Sequence, residues 1–151
     1  YDWGWDHHGS SLGESIDETL PIKCQQSDKP IAALIKDLDQ RGLLDETIVL
    51  WAGEMGRTPH TPKISDTAGR DHHVNGYSIF MAGGGFKGGT TFGETDEFGN
   101  AVATNPLSIH DIHATLLHQM GIDHEKLTFR HGGRDQRLTD VHGRVVKEIL
   151  A

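Results

Sequence analysis

Two segments of the chain carry apolar residues at helical spacing. The first, residues 29–41, repeats isoleucine and leucine every three or four positions, has Pro30 at a tolerated first-turn position and is followed by Gly42. The second, residues 107–120, has an apolar face and is followed by a glycine, a residue that commonly ends helices. These patterns predict two helices. A similar pattern over residues 141–150, interrupted by Gly143, predicts a third.

Two continuous apolar runs, residues 47–52 and 77–82, predict strands. The first run is rich in β-branched residues, which is typical of a central strand that helices cover on both faces. Helices that alternate with buried strands indicate an α/β fold, in which ligands bind beyond the carboxyl ends of the strands.

The remaining segments predict local structure only. Residues 90–95 and 101–104 are expected to form two short strands joined by a hairpin turn. Residues 1–27 are expected to be mostly loop because they are rich in glycine, serine and polar groups, and the basic segment 128–137 is expected to be irregular. Since no repeat or linker divides the sequence, residues 1–151 are predicted to form a single domain.

Composition narrows the classes of function. Acidic residues outnumber basic ones by 22 to 14, so the formal net charge is −8, which argues against nucleic acid or an anionic membrane as the main partner. No apolar run is long enough to span a membrane. Cys24 is the only cysteine, which excludes an internal disulfide framework and a thiolate zinc cage.

Aspartate stands beside several of the eleven histidines. Asp6 and His8 are two residues apart, so in an extended loop both side chains can reach one divalent ion, whereas His7 points away. Asp71 and His72 are adjacent and diverge, so one can bind a metal while the other supports it or binds a second ion. The alternative is that these are ordinary polar residues of surface loops.

Glu54 and Arg57 follow the predicted strand 47–52. Glu54 can ligate a metal or act as a general base there, although a solvated loop carboxylate is the usual fate of glutamate. Arg57 suits bidentate contact with phosphate, sulfate or carboxylate, and a surface salt bridge is an equal expectation. His110 and His113 lie one turn apart on the second predicted helix, where capping or packing is a more common role than metal binding.

Several segments together resemble a bacterial family of sulfatase-like proteins, domain of unknown function 1501 (DUF1501), which is placed in the alkaline phosphatase superfamily. The similarity covers almost the whole chain and is carried by residues 4–9, 47–59, 69–72, 83–89, 110–117 and 133–143. The resemblance implies the C-terminal part of a doubly wound three-layer α/β sandwich, with a metal site at the carboxyl edge of its sheet. It also implies a longer, secreted or periplasmic protein of which this chain is the C-terminal portion.

Together the residues and the resemblance lead to the hypothesis of a metal-dependent hydrolase of small anionic sulfuric or phosphoric esters. Arg57 and Arg70 are expected to hold the ester oxygens and to stabilise charge in the transition state. A divalent ion (zinc, calcium, manganese or magnesium) is expected to be bound by Asp6, His8, Glu54, Asp71 and His72, with Asp71 either a ligand or a supporting group.

The resemblance also has two departures. In the superfamily an upstream serine, threonine or modified cysteine is the nucleophile, and Ser10 and Ser11 do not match its motif. We therefore expect the nucleophile and at least one further metal-binding aspartate in the remainder of the polypeptide. Related sulfatases have histidine where this chain has Met55, and a thioether cannot replace imidazole for a hard ion. Two alternatives are a catalytically inactive metal- or anion-binding module and a structural domain whose histidines are incidental.

Overall fold

The structure, a computed structural model, describes residues 4–61 and 65–151, and these form two α-helices and eight short strands. The first three residues of the predicted N-terminal loop and residues 62–64 of the loop after Pro59 lie outside the described residues. The helices are α1 (Ile16–Gln40) and α2 (Ile109–Gln119). The strands are β1 (Val49–Trp51), β2 (Gly56–Arg57), β3 (His72–His73), β4 (Phe80–Ala82), β5 (Glu94–Thr95), β6 (Val102–Thr104), β7 (Thr128–His131) and β8 (Arg134–Arg137).

The strands pair in four two-stranded antiparallel sheets: β1 with β4, β2 with β3, β5 with β6, and β7 with β8. The mixture of two helices with small antiparallel sheets confirms that the chain is mixed α and β, the coarse part of the predicted fold class. The predicted hairpin is also confirmed, because β5 and β6 pair across the turn that follows Asp96. The doubly wound three-layer sandwich stays a prediction.

Helix α1 begins much earlier than the sequence predicts. Residues 16–27 were expected to be loop, and they are helical, so Pro30 lies inside the helix rather than in its first turn. The helix has no buried residue, so burial does not require an apolar pattern in its first half. A long-range contact fixes its start instead, since the Ile16 N–H donates to the Ala68 carbonyl at 2.9 Å.

Strand β1 was expected to be central and covered on both faces, and this prediction is wrong for the described structure. Its one partner among the described residues is β4, which pairs Leu50 with Met81. The side chains of Leu50 and Trp51 are 44% and 46% exposed. A continuous apolar run therefore forms a strand here without neighbours to cover it.

The C-terminal segment also differs from its prediction. Residues 128–137 form the β7–β8 hairpin rather than irregular structure, because Gly132 and Gly133 adopt positive φ angles of 56° and 78° at the turn. Residues 141–150 form a short 3-10 turn at Lys147–Ile149 instead of a helix. Gly143, with φ at 90°, breaks the helical path there.

The core lies where α2 meets this C-terminal segment. Ile112, Ala114 and Leu117 of α2 are buried together with Val146, whose N–H donates to the Thr115 hydroxyl at 2.9 Å. The sequence prediction of α2 is confirmed, with bounds one or two residues shorter at each end. Among the described residues, no helix is long and apolar enough to cross a membrane.

Candidate metal centre

Three glycine-containing segments, residues 4–9, 53–58 and 68–73, lie against one another, and we call them the three-loop cluster. Backbone hydrogen bonds join them in pairs. The Arg70 N–H donates to the His7 carbonyl at 2.9 Å, and the Thr58 N–H donates to the Asp71 carbonyl at 2.8 Å. Segments that are distant in sequence are thereby held at fixed positions relative to one another.

Two glycines allow the first and third segments to approach closely. A Cβ atom on Gly69 would overlap the backbone carbonyl group of His8. A Cβ on Gly9, which has φ at +73°, would lie 2.8 Å from the Gly69 nitrogen. Because only glycine leaves room for this backbone contact, the two positions together bring His8 beside Asp71 and His72.

The second segment is aligned with the third by the β2–β3 pair. Its register places Arg57 opposite His72 and Gly56 opposite His73. A Cβ on Gly56 would lie 2.8 Å from the Cβ of Tyr77, so this position also requires a small residue. The pairing fixes the arginine next to the histidines of the cluster.

At the centre of the cluster, three ligand-type side chains converge. One ligand atom each from Asp6, His8 and His72 lies within 4.8 Å of the other two. The Asp6 Oδ1 atom is 2.9 Å from His8 Nε2 and 3.1 Å from His72 Nε2. The two imidazole rings stack, with centroids 5.1 Å apart and planes at 13°. We call these three residues the triad.

The triad fits a divalent cation in its geometry and donor set. Ligand atoms around a tetrahedral ion with bonds of about 2.0–2.1 Å are separated by roughly 3.4 Å. The separations of 2.9 and 3.1 Å between Asp6 Oδ1 and the two Nε2 atoms are close to that value. Two imidazole nitrogens and one carboxylate oxygen suit borderline divalent ions. Asp6 and His72 are 52% and 44% exposed in their side chains, so the position is reachable from solvent.

Asp71 supports His8 from the other side of its ring. The Asp71 Oδ1 atom lies 3.0 Å from His8 Nδ1, and since a carboxylate only accepts, Nδ1 carries the donated proton. This hydrogen bond, together with the charge of Asp6, raises the pKa of His8 above its usual value of 6.5. In neutral His8 the Nε2 lone pair therefore faces the triad, as in metal sites where a carboxylate orients a ligating histidine.

Opposite charges hold the Asp6 carboxylate in its ionised form. Burial acts to raise the pKa of Asp6, but the hydrogen bond with His72 and the charges of His8 and Arg57 outweigh it, so that this pKa lies below 3.8. Arg57 donates from one terminal nitrogen to Asp6 Oδ1 at 2.7 Å and from the other to Glu54 Oε1 at 3.0 Å. Arg57 thus bridges the triad and Glu54, which is paired with the arginine rather than placed within the triad.

Arg57 and Arg70 both line a cleft of about 510 Å³ beside the triad. Arg70 also donates to the Thr58 carbonyl at 3.0 Å, which anchors its guanidinium group. Glu54 and His7 line the cleft as well, and its apolar side chains come mainly from Trp5, Ile16, Leu20, Trp51 and Met55. Sequence reasoning missed this wall, since its members come from distant segments and no local pattern links them.

His7 takes a different role from its neighbours. Its side chain is buried, and its Nδ1 lies 3.1 Å from the Trp5 carbonyl oxygen, so the ring turns away from the triad as predicted. Metal binding by Asp6, His8, Glu54, Asp71 or His72 and anion binding by Arg57 or Arg70 stay predictions. The described geometry joins all of them except Arg70 in one chain of polar contacts.

The model of the family described as "Protein of unknown function (DUF1501)" matches residues 1–150. The chain belongs to this family. Searches among curated proteins and solved structures found no match to this chain. Membership in DUF1501 confirms the resemblance at the level of the family, whereas the wider relationship to sulfatases and alkaline phosphatases stays a prediction.

Proposed function

We propose that this DUF1501 chain is the C-terminal portion of a metal-dependent sulfatase- or phosphatase-like ester hydrolase. A preceding part of the same polypeptide would supply the nucleophile. The observation that carries the proposal is the convergence of Asp6, His8 and His72, residues up to 66 positions apart, beside a cleft that two arginines line. Ligand-type residues that come together across such distances on close-packed glycine loops favour a site over incidental surface polarity.

Each residue of the proposed site has a distinct task. Asp6, His8 and His72 hold a divalent cation, which supplies positive charge for the ester oxygens when bound. Asp71 holds the His8 ring in the tautomer that presents Nε2. Arg57 and Arg70 bind the anionic head group at the end of the cleft nearest the triad. Glu54 stays a proposed ligand, although its carboxylate is paired with Arg57.

The donor set favours some ions over others. Calcium takes six to eight oxygen ligands and magnesium prefers oxygen in an octahedral arrangement, whereas the triad offers two nitrogens and one oxygen. Zinc is commonly bound by histidine and carboxylate, and manganese accepts the same mixture. We therefore propose zinc or manganese as the resident ion.

Metal analysis and turnover of the whole protein test the proposal. After reconstitution with zinc or manganese, we expect about one or two divalent ions per chain. We also expect hydrolysis of aryl sulfates or aryl phosphates that EDTA abolishes. His72→Ala should lose both, while the matched control His118→Ala, an exposed histidine in the last turn of α2, should retain both. Absence of bound metal after reconstitution would refute the proposed metal centre.

One observation favours a second candidate, a catalytically inactive metal-binding module. Met55 lines the apolar cleft at the position where related sulfatases are expected to carry a histidine, so one corner of an enzyme site would lack its ligand. Stoichiometric metal binding without turnover of either class of ester would favour this module over the hydrolase.

A further inference from the structure

We infer that the cleft beside the triad binds the apolar part of its ligand, so that the substrate is a hydrophobic monoester with an alkyl or aryl group attached to a sulfate or phosphate head. This inference rests on the proposed function and adds the substrate class to it. It is carried by the shape and lining of the cleft and by the position of its charges.

The cleft has the size and wall of a small-molecule site. Its volume of about 510 Å³ lies within the range of ligand pockets, roughly 300–1,000 Å³. The apolar wall combines two indole rings, Trp5 and Trp51, with Ile16, Leu20 and Met55. Both indoles remain more than two-fifths exposed, at 44% and 46%, so apolar surface is present that a ligand can cover.

The positive charge of the cleft lies where the triad begins. Arg57 lines the cleft and at the same time donates to Asp6 Oδ1 at 2.7 Å, so its guanidinium group stands between the apolar wall and the triad. Arg70 lines the same cleft, and so does Glu54, which accepts from Arg57 at 3.0 Å, so two guanidinium groups stand against one carboxylate in the lining. A cationic end beside an apolar wall is complementary to an anionic amphiphile whose head lies at the triad and whose tail lies along the indoles.

A strongly hydroxylated ligand such as a sugar ester fits this wall poorly. Hydroxyl groups that lie along Ile16, Leu20 and Met55 would lose water without finding a partner, and buried polar groups without partners are costly. Each methylene of an alkyl ester, in contrast, gains affinity when it leaves water for the apolar wall. The expected gain is about fourfold in affinity per methylene until the cleft is filled.

Binding of non-hydrolysable alkyl sulfonates tests the inference without requiring turnover. We would measure methyl, butyl and octyl sulfonate by calorimetry on the metal-loaded whole protein, below the micelle-forming concentration. Dissociation constants should fall steadily with chain length. An alkyltrimethylammonium probe of equal length, which reverses the charge of the head, should bind more weakly because the two arginines of the lining outnumber its one carboxylate, Glu54.

Two variants locate the effect in the cleft. Trp51→Ala and Leu20→Ser should each flatten the dependence of affinity on chain length, and Leu20 is the safer test of the two because it lies on the solvent-exposed helix α1. Phe98→Ala removes a side chain of similar kind that is 67% exposed in the β5–β6 turn, outside the cleft, and should leave the dependence unchanged. Circular dichroism checks that each variant is folded.

The outcomes separate this inference from the proposed function. Affinity that is independent of chain length would overturn the inference, even if the protein hydrolyses short esters. Equal binding of the cationic probe would overturn it as well. Affinity that rises with chain length in a protein without any turnover would support the cleft assignment and count against the hydrolase.

Discussion

Aspartate–histidine runs occur in two regions of this protein, and the fold gives them different roles. In the three-loop cluster, Asp6 and Asp71 contact imidazoles that come from other segments or, for Asp6 and His8, from two residues further along the same loop. At the start of α2, Asp111 stands between His110 and His113 but bonds to neither ring in the described contacts.

Asp111 is occupied by donors that stabilise the helix and its attachment. One carboxylate oxygen accepts from the Ser108 N–H at 2.7 Å and from its hydroxyl at 2.8 Å, while the other accepts from the Arg144 N–H at 2.8 Å. Burial acts to raise the pKa of Asp111, but these hydrogen bonds outweigh it and hold the pKa below 3.8. The carboxylate therefore caps the helix and anchors the C-terminal segment.

Adjacency of aspartate and histidine in the sequence therefore does not by itself define a metal site. At the start of α2, the Asp111 carboxylate accepts from the N–H and hydroxyl of the N-cap Ser108 and from the N–H of Arg144. On the glycine loops, the carboxylates Asp6 and Asp71 accept from side chains instead, and their partners are histidines and Arg57. A ligand can compete with these side-chain contacts of Asp6 and Asp71.

The largest change in metal affinity is expected between variants of Asp6 and Asp111. Asp6→Ala removes the atom on which both histidines converge, so metal affinity should fall by more than about 100-fold, beyond the loss typical of supporting residues. Asp111→Ala should keep its metal affinity and lose stability only. Calorimetric titration with zinc measures both, and equal affinity in the two variants would end the distinction between the regions.

The next effect concerns the glycine contact that builds the three-loop cluster. In Gly69→Ala the new methyl group would overlap the His8 carbonyl, so the backbone must shift, and the free energy of unfolding should fall by about 1–3 kcal/mol. The control Gly88→Ala has open space around its Cβ and should be close to neutral. Chemical denaturation gives the two values. A Gly69→Ala protein as stable as the parent would contradict the tight approach.

A smaller, graded effect is the dependence of metal affinity on pH. His8 must lose its Nε2 proton to bind a metal, so affinity should be constant above its raised pKa and fall about tenfold per pH unit below it. In the protein without metal, folding stability depends on pH in the opposite direction. Protonated His8 stabilises the fold fully below pH 6.5, and this stabilisation is lost as pH rises through the raised pKa of His8.

The variant Asp71→Asn tests whether Asp71 is the cause of this pH dependence. The Asp71 hydrogen bond is the main cause of the raised pKa of His8, so its loss should move the decline in affinity to lower pH. Chelator competition between about pH 5 and 8 follows both proteins. A decline that stays at the same pH in the variant would mean that Asp71 does not control His8.

The smallest effect lies at the N-terminus of α2. Ser108→Ala deletes the side-chain acceptor for the Asp111 N–H and should lower the free energy of unfolding by about 1 kcal/mol. Metal affinity should not change. Thermal unfolding and zinc titration together test whether this aspartate–histidine region is structural only.

Local patterns were sufficient for some elements and not for others. The apolar stripe and the glycine that follows it predicted α2, because helix formation and termination depend on neighbours within a few residues. The first half of α1 has no such stripe, and its start depends on the bond between Ile16 and Ala68. The run at β1 predicted a strand correctly, but its exposure depends on which elements cover it.

For the candidate site, the chemistry follows from the sequence. It supplies the carboxylates, imidazoles and guanidinium groups and the glycines Gly9 and Gly69 that flank them. Which of these groups meet depends on the packing of distant segments in the folded chain. Asp6, His8 and His72 converge because two glycine backbones touch, and the apolar cleft forms because Trp5, Leu20 and Trp51 arrive from separate segments. Contacts between distant segments depend on packing of the whole chain, which no local spacing encodes.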